Sequence, residues 1–296
     1  MKHILAWMTL GASLFAALPA EAYCIARACD EDDPEAQCVY DGFGCPVTET
    51  RPPLFWPSKC VSFGVNSLGS PKSEIDYDVA NDAAELAASR WLGADCGGGT
   101  PGVHLLNVGP VACGEVEYNQ TGNANVVLFT DDEWPFGDDR RTIALTIIQF
   151  STETGEIYDA DIAINSANMP FESPNHEGGL VLSSVLTHEM GHFLGLGHSS
   201  EATAVMAPSY ADTETGELRQ DDIDGICAIH PPDESALEAE CTPRHGLSKR
   251  CGGRVPTASG GCAFTGRPAD GAACWVALVG LAFARRRAGR RAPRPR

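Results

Sequence analysis

Between residues 54 and 232 the apolar positions fall into short alternating runs, broken by turn residues and interrupted twice by stretches with helical spacing. The segment 60–66 alternates as a strand, and further strands are expected at 103–108, 125–130, 144–150 and 157–165, with Gly-rich or Asn/Gly turns between them. Residues 73–92 read as a helix whose buried face would carry Val79, Ala83, Leu86 and Ala87, and a second helix is expected from about 179 to 194. A strand, a helix and a second strand in that order need a crossover, which makes part of the sheet parallel, while the short STETGE link before the last strand is of hairpin length. The pattern therefore predicts an α/β domain: a five-stranded mixed sheet with a backing helix and a second helix.

Both ends of the chain depart from this pattern. Lys2 and His3 precede an apolar run over 4–18 and then Pro19-Ala20-Glu21-Ala22, the form of a secretory signal cleaved after Ala22. Residues 23–53 are Cys-rich, acidic and turn-rich, without a period long enough to build a core, and read as a disulfide-stapled extension. Residues 233–259 shift to Pro, Gly, Ser and charge, as a linker does. In the final segment, 260–296, Cys262 precedes a short apolar run over 272–284 and then an arginine cluster. That run is shorter than the roughly 20 residues a spanning helix needs. The order of Cys, apolar stretch and arginines is similar to tripartite sorting tags of secreted bacterial proteins, which implies a transient membrane association.

All 12 cysteines lie beyond the expected signal cleavage site, as suits an oxidising compartment. Ten of them, Cys24, Cys29, Cys38, Cys45, Cys60, Cys96, Cys113, Cys227, Cys241 and Cys251, precede the tail and can all pair, with Cys241 and Cys251 a candidate pair closing one loop. The chain carries a net charge of −19, but that value conceals an asymmetry: from Tyr23 to Pro243 there are 8 Lys and Arg against 38 Asp and Glu. Such a surface repels phosphate backbones, so a nucleic-acid partner is not expected, while cations and basic substrates are favoured.

The candidate chemistry is concentrated in HEMGHFLGLGHS, from His188 to Ser199. His188 and His192 stand four apart, on one face of a helix, and can offer two imidazole nitrogens to one ion. Gly195 can end the helix in a left-handed conformation, and the chain then delivers His198. Three neutral imidazoles and one open position suit a catalytic zinc, and Glu189 beside the first ligand is placed to act as general base on a water. This spacing is the metzincin signature, and Met206 in AVMAPSY stands where that clan has its Met-turn.

With Ser199 after the third histidine, Met206, Pro208 and Tyr210 in order, and DDIDGI over 221–226, the chain resembles a matrixin, the matrix-metalloproteinase type of zinc endopeptidase, over roughly residues 57–231. The resemblance implies a metzincin-like fold for 54–232, with a small C-terminal subdomain and with the strand near 144–150 as an antiparallel edge above the cleft, open to an extended peptide. It also implies one catalytic zinc on His188, His192 and His198, Glu189 as catalytic residue, Met206 as the Met-turn, and a protein or peptide substrate cleaved by a secreted or surface-anchored monomer. No cysteine-switch motif is present; Cys45, before Pro46, is the nearest candidate, weighed against a structural disulfide. No H-x-D pattern supports a second, structural zinc, and His104 and His176 read as structural or solvent-facing. The acidic runs at 131–133, 138–139 and 159–161 offer oxygen ligands to a structural calcium. The alternative function is a zinc-containing adhesion or binding module of the same fold with weak turnover.

Overall fold

The structure, a computed structural model, describes residues 22–30, 32–173, 178–210, 215–252 and 273–277. The expected signal up to residue 21, His176 and all of the 260–296 tail except 273–277 lie outside the described residues. In chain order the elements are β1 (Cys24–Ile25), β2 (Cys60–Asn66), α1 (Tyr77–Leu92), β3 (His104–Val111), β4 (Val126–Phe129), β5 (Ala144–Ser151), β6 (Ile157–Ile164), α2 (Leu182–Phe193), β7 (Leu196–Gly197), α3 (Gln220–Ile229), a 3-10 turn (Glu234–Glu238) and β8 (Ala273–Ala277).

The main sheet has the order β3-β2-β4-β6-β5, followed by β8. Strands β3, β2, β4 and β6 are parallel, and β5 closes back on β6 antiparallel, with Ala144 opposite Ile164 and Phe150 opposite Ile157. The five-stranded mixed sheet is thus present, with its antiparallel fifth strand. The outer edge of β5 is not bare along its whole length: the backbone of 273–277 runs antiparallel to 147–151, and among the described residues nothing pairs with the outer edge of 144–146.

One face of the sheet packs against α1 and α2 around Phe63, Val65, Trp91, Ile148, Phe150, Ile162, Leu186 and Met190. The opposite face has its own cluster of Val111, Val126, Leu128, Trp134, Leu145, Ile147 and Ala163. Both faces of β2 and β6 are buried, so the polar Ser62, Asn66, Asp159 and Asp161 lie inside with their apolar neighbours.

Helix α1 begins at Tyr77, where the Asp76 carboxylate accepts from the Val79 N–H at 3.0 Å. Its buried face is Ala80, Ala84, Ala87, Ala88 and Trp91, whereas Val79 and Leu86 are 47% and 45% exposed, so the expected face was rotated. Small alanines allow the helix to approach the sheet closely, and the indole of Trp91 donates to the Thr187 carbonyl of α2 at 2.7 Å.

All ten expected cysteines are paired: Cys24–Cys45, Cys29–Cys38, Cys60–Cys241, Cys96–Cys227 and Cys113–Cys251. Cys241 and Cys251 do not pair with each other but each tie the segment after 231 to the body. That segment is laid along the domain: Ala112 bridges Arg250 and Asn123 bridges Leu247, so residues up to 252 are not a free linker. The N-terminal extension is likewise joined to the domain, through β1 on β7 and through Ala26 and Ala28 in the main core.

Candidate metal centre

Helix α2 carries His188 and His192 on one face, and its first turn is anchored by the Val181 N–H, which donates to the Tyr210 hydroxyl at 2.9 Å. After Leu194 the chain reverses at Gly195, whose φ of +105° suits glycine. Strand β7, held by β1, then leads directly to His198. The three imidazole rings converge with centroids 4.8, 5.3 and 4.8 Å apart, and one nitrogen from each lies within 4.8 Å of the others.

The hydrogen bonds fix how two of these rings are used. His188 Nδ1–H donates to the Val205 carbonyl at 2.7 Å, and His192 Nδ1–H donates to the Leu196 carbonyl at 2.8 Å. In neutral rings, the form that binds a metal, these bonds leave both Nε2 atoms as bare acceptors, and the two face each other at 3.1 Å. Two lone pairs aimed at one point repel unless a cation lies between them, so the donor set fits a metal ion. Burial, and then the charge of the neighbouring histidines, holds His192 well below the ordinary imidazole range and His198 at about 3. Both imidazoles are thus kept neutral, as a metal ligand must be.

Glu189 is 6% exposed and lies against β5, where the Thr146 hydroxyl is 2.7 Å from its Oε2 and 3.0 Å from its own carbonyl oxygen. Burial raises the carboxyl above its usual range, opposed by His188 and by the Thr146 hydrogen bonds.

Met206 packs so tightly against α2 that a Cβ at Gly191 would lie 2.2 Å from its sulfur and 2.8 Å from the Trp91 ring. The turn is held by Asp222 on α3, whose carboxylate accepts from the Val205 N–H at 2.8 Å, the Met206 N–H at 3.0 Å and the Arg219 N–H at 2.8 Å. Since the Val205 carbonyl receives His188 Nδ1–H, one chain of bonds runs from α3 through the turn to the imidazole. Ser199 is joined to the same helix through Asp221, at 2.5 Å.

Comparison with known proteins meets this geometry. Residues 116–231 match the family model for matrixin, a span that runs from before β4 to just beyond α3. Over these residues the chain is similar to matrixin. Interstitial collagenase of Sus scrofa is 49% identical over 57 residues, which are 19% of this chain and 12% of that protein. Matrix metalloproteinase-16 of Homo sapiens is 33% identical over 141 residues, 43% of this chain and 22% of its own length. Metalloendoproteinase 1-MMP of Arabidopsis thaliana is 33% identical over 172 residues, 55% of this chain and 42% of the relative. The chain therefore spans less than half the length of each of these relatives. Similarity to the matrixin family implies zinc in general, and His188, His192 and His198 form a group able to hold it.

The structure brings His188, His192 and His198 together, with Glu189 on the same helix and Met206 packed against that helix at Gly191. Four others at or beside this site were not singled out: Thr146, Gly191, Asp222 and Gly44. Gly191 sits inside the motif and Asp222 inside DDIDGI, so both were in view without a role. Thr146 lies in a strand whose alternation signals burial and says nothing of the carboxylate opposite.

Other candidate metal positions fare differently. Cys113, Glu117 and Cys251 lie close together, but the two cysteines are bonded to each other and offer no thiolate. Asp131 is occupied by the Ser70 and Ser166 hydroxyls and by the Lys72 N–H. In the 159–161 run, Asp159 and Asp161 are fully buried, and Asp159 Oδ2 has no hydrogen-bond partner among the described residues. His104 lies on β3, away from the three converging rings.

Proposed function

We propose that the chain is a secreted or surface-anchored zinc endopeptidase, in which His188, His192 and His198 hold one zinc and Glu189 is the general base. The observation that carries this reading is the pair of bare Nε2 atoms facing each other, with a buried carboxylate from the same helix beside them. Zinc bound there supplies Lewis acidity that polarises a peptide carbonyl and acidifies a water.

The remaining work belongs to the chain. Thr146 fixes Oε2 of Glu189, and Oε1 is assigned to the attacking water, whose proton it accepts and then returns to the leaving amine. A raised carboxyl pKa brings the base nearer the pH at which it must both accept and release that proton. Met206 and the Asp222 chain hold the ligands in register without touching substrate. The stretch 144–146 of β5, unpaired on its outer edge among the described residues, lies beside Glu189, where an extended peptide can add as a further strand.

Five disulfides support export to an oxidising compartment, consistent with the expected signal sequence. Among the described residues no helix is long and apolar enough to cross a membrane, so the proposed anchoring rests on the C-terminal tail alone. A structural calcium is assigned to the 159–161 run, where Asp159 Oδ2 is buried without a hydrogen-bond partner among the described residues, as Asp30 Oδ2 is elsewhere.

The test is Glu189→Gln in the purified, zinc-loaded protein with casein as substrate. Zinc content should stay at one per chain while kcat falls by about 10²- to 10⁴-fold, the usual worth of a general base. Cleavage at the parental rate would remove Glu189 from the mechanism.

A further inference from the structure

The N-terminal extension reaches the metal centre. Residues 39–47 form a short hairpin in which Val47 N–H donates to the Val39 carbonyl at 2.8 Å and Tyr40 bridges Pro46. Its turn is stiff: Gly44 N–H reaches the Asp41 carbonyl, Gly44 takes φ +88°, and the Asp41 carboxylate accepts from the Phe43 and Cys45 N–H groups at 2.8 and 2.9 Å. The Cys24–Cys45 disulfide clips the turn to β1, and Cys24 sits so close to the chain before His198 that a Cβ at Gly197 would lie 2.7 Å from its sulfur. A Cβ at Gly44 would come within 3.9 Å of His198 Nδ1. A rigid, covalently tethered turn therefore stands against the third histidine.

This hairpin also exposes an unusual share of apolar surface. Val39, Phe43 and Val47 are 67%, 47% and 53% exposed, three large apolar side chains within nine residues of an otherwise very acidic segment. Clustered exposure of this kind, on a hairpin whose turn stands against His198, marks a binding surface more often than scattered single residues do.

We propose that the 39–47 hairpin is a wall of the substrate cleft on the His198 side, and that Phe43 at its turn grips a large apolar side chain of the peptide substrate. The proposal rests on the endopeptidase reading above and adds a specificity determinant to it. The occupant is substrate because the hairpin abuts His198, past which a peptide paired to β5 beside Glu189 must run. Preorganisation by two disulfides and an Asp41-capped turn lets the wall bind without an ordering cost at the moment of contact.

The experiment profiles the full, zinc-loaded protein and its Phe43→Ala and Phe43→Leu variants against a peptide library. Phe43→Ala should lower kcat/KM about tenfold for peptides with a large apolar residue at one fixed position from the scissile bond, and leave peptides with Gly or Ala there unchanged. Phe43→Leu should retain most of the preference, and zinc content and Tm should not move in either variant. A uniform effect across the library would overturn the proposal, as would a rise in cleavage, which would mark the hairpin as an occluding cap. A shift from dimer to monomer with the library profile intact would make it a self-association face instead and overturn it equally. If the parent protein cleaves nothing, the endopeptidase reading falls separately, and binding of the same peptides to zinc-loaded protein decides the hairpin: a Phe43-dependent preference upholds it and its absence removes it.

Discussion

Gly191 shows how much of this site is decided by the smallest side chain. It lies between His188 and His192, and its missing Cβ is the space into which Met206 and Trp91 fit. Gly191→Ala should push the Met-turn off α2, cost about 1–3 kcal/mol as overpacking does, and weaken zinc retention in a competition with chelator. Unchanged Tm and zinc affinity would show that the close approach is dispensable. Asp159 supplies a second test at this scale. Burial raises its carboxyl to about 8, against an ordinary 3.8, with the Asn123 hydrogen bond opposing, and Asp161 beside it is also raised. A raised folded-state pKa means that the folded protein holds a proton which the unfolded chain releases. The resulting stability is fully present below about 3.8 and is lost as pH rises through about 8. In chelator, Asp159→Asn should therefore raise Tm at pH 8, by about 2–4 °C for each kcal/mol relieved, and leave it nearly unchanged at pH 3.5. Equal Tm values at pH 8 would mean that the buried carboxylate carries no such strain.

At the scale of elements, the sequence pattern was most legible where periodicity and turn chemistry agreed. The strands at 60–66, 144–150 and 157–165 were located within a residue or so, because burial on one or both faces fixes apolar character position by position. The face of α1 was misread, since Val79 and Leu86 outweigh alanine in any hydrophobic count, while packing distance selected the alanines. Helix α3 was seen only as the run DDIDGI, since its acidic first turn resembles a loop. The pairing of β8 with β5 links residues more than a hundred apart, and no local pattern announces it. That pairing has a consequence for the proposed chemistry: 147–151 of the edge is taken by the chain's own tail, where an extended protein substrate would also bind. A chain ending at Gly252 should cleave casein faster than the full chain, while a short peptide confined to 144–146 should be cleaved equally by both. Equal rates on casein would show that the tail does not compete for the edge.

Across the whole molecule, the site is a meeting of distant segments that only the covalent and hydrogen-bonded frame brings together. Cys24–Cys45 places the N-terminal turn beside His198, Cys60–Cys241 and Cys113–Cys251 bind the segment after 231 to the sheet, and Asp222 joins α3 to the Met-turn. The metal motif itself was legible because helical spacing and a terminating glycine are local facts. Thr146 and Gly44 were not, because their roles exist only after β5 and the stapled hairpin have been laid against α2. The claim on which the account depends is that three imidazoles hold one zinc. Zinc K-edge X-ray absorption on the purified protein addresses it directly. The account predicts one zinc per chain with a first shell of about three imidazole nitrogens at roughly 2.0–2.1 Å plus one oxygen, reduced by one imidazole or lost altogether in His198→Ala. A shell containing sulfur near about 2.3 Å, or a purified protein that retains no zinc, would contradict it.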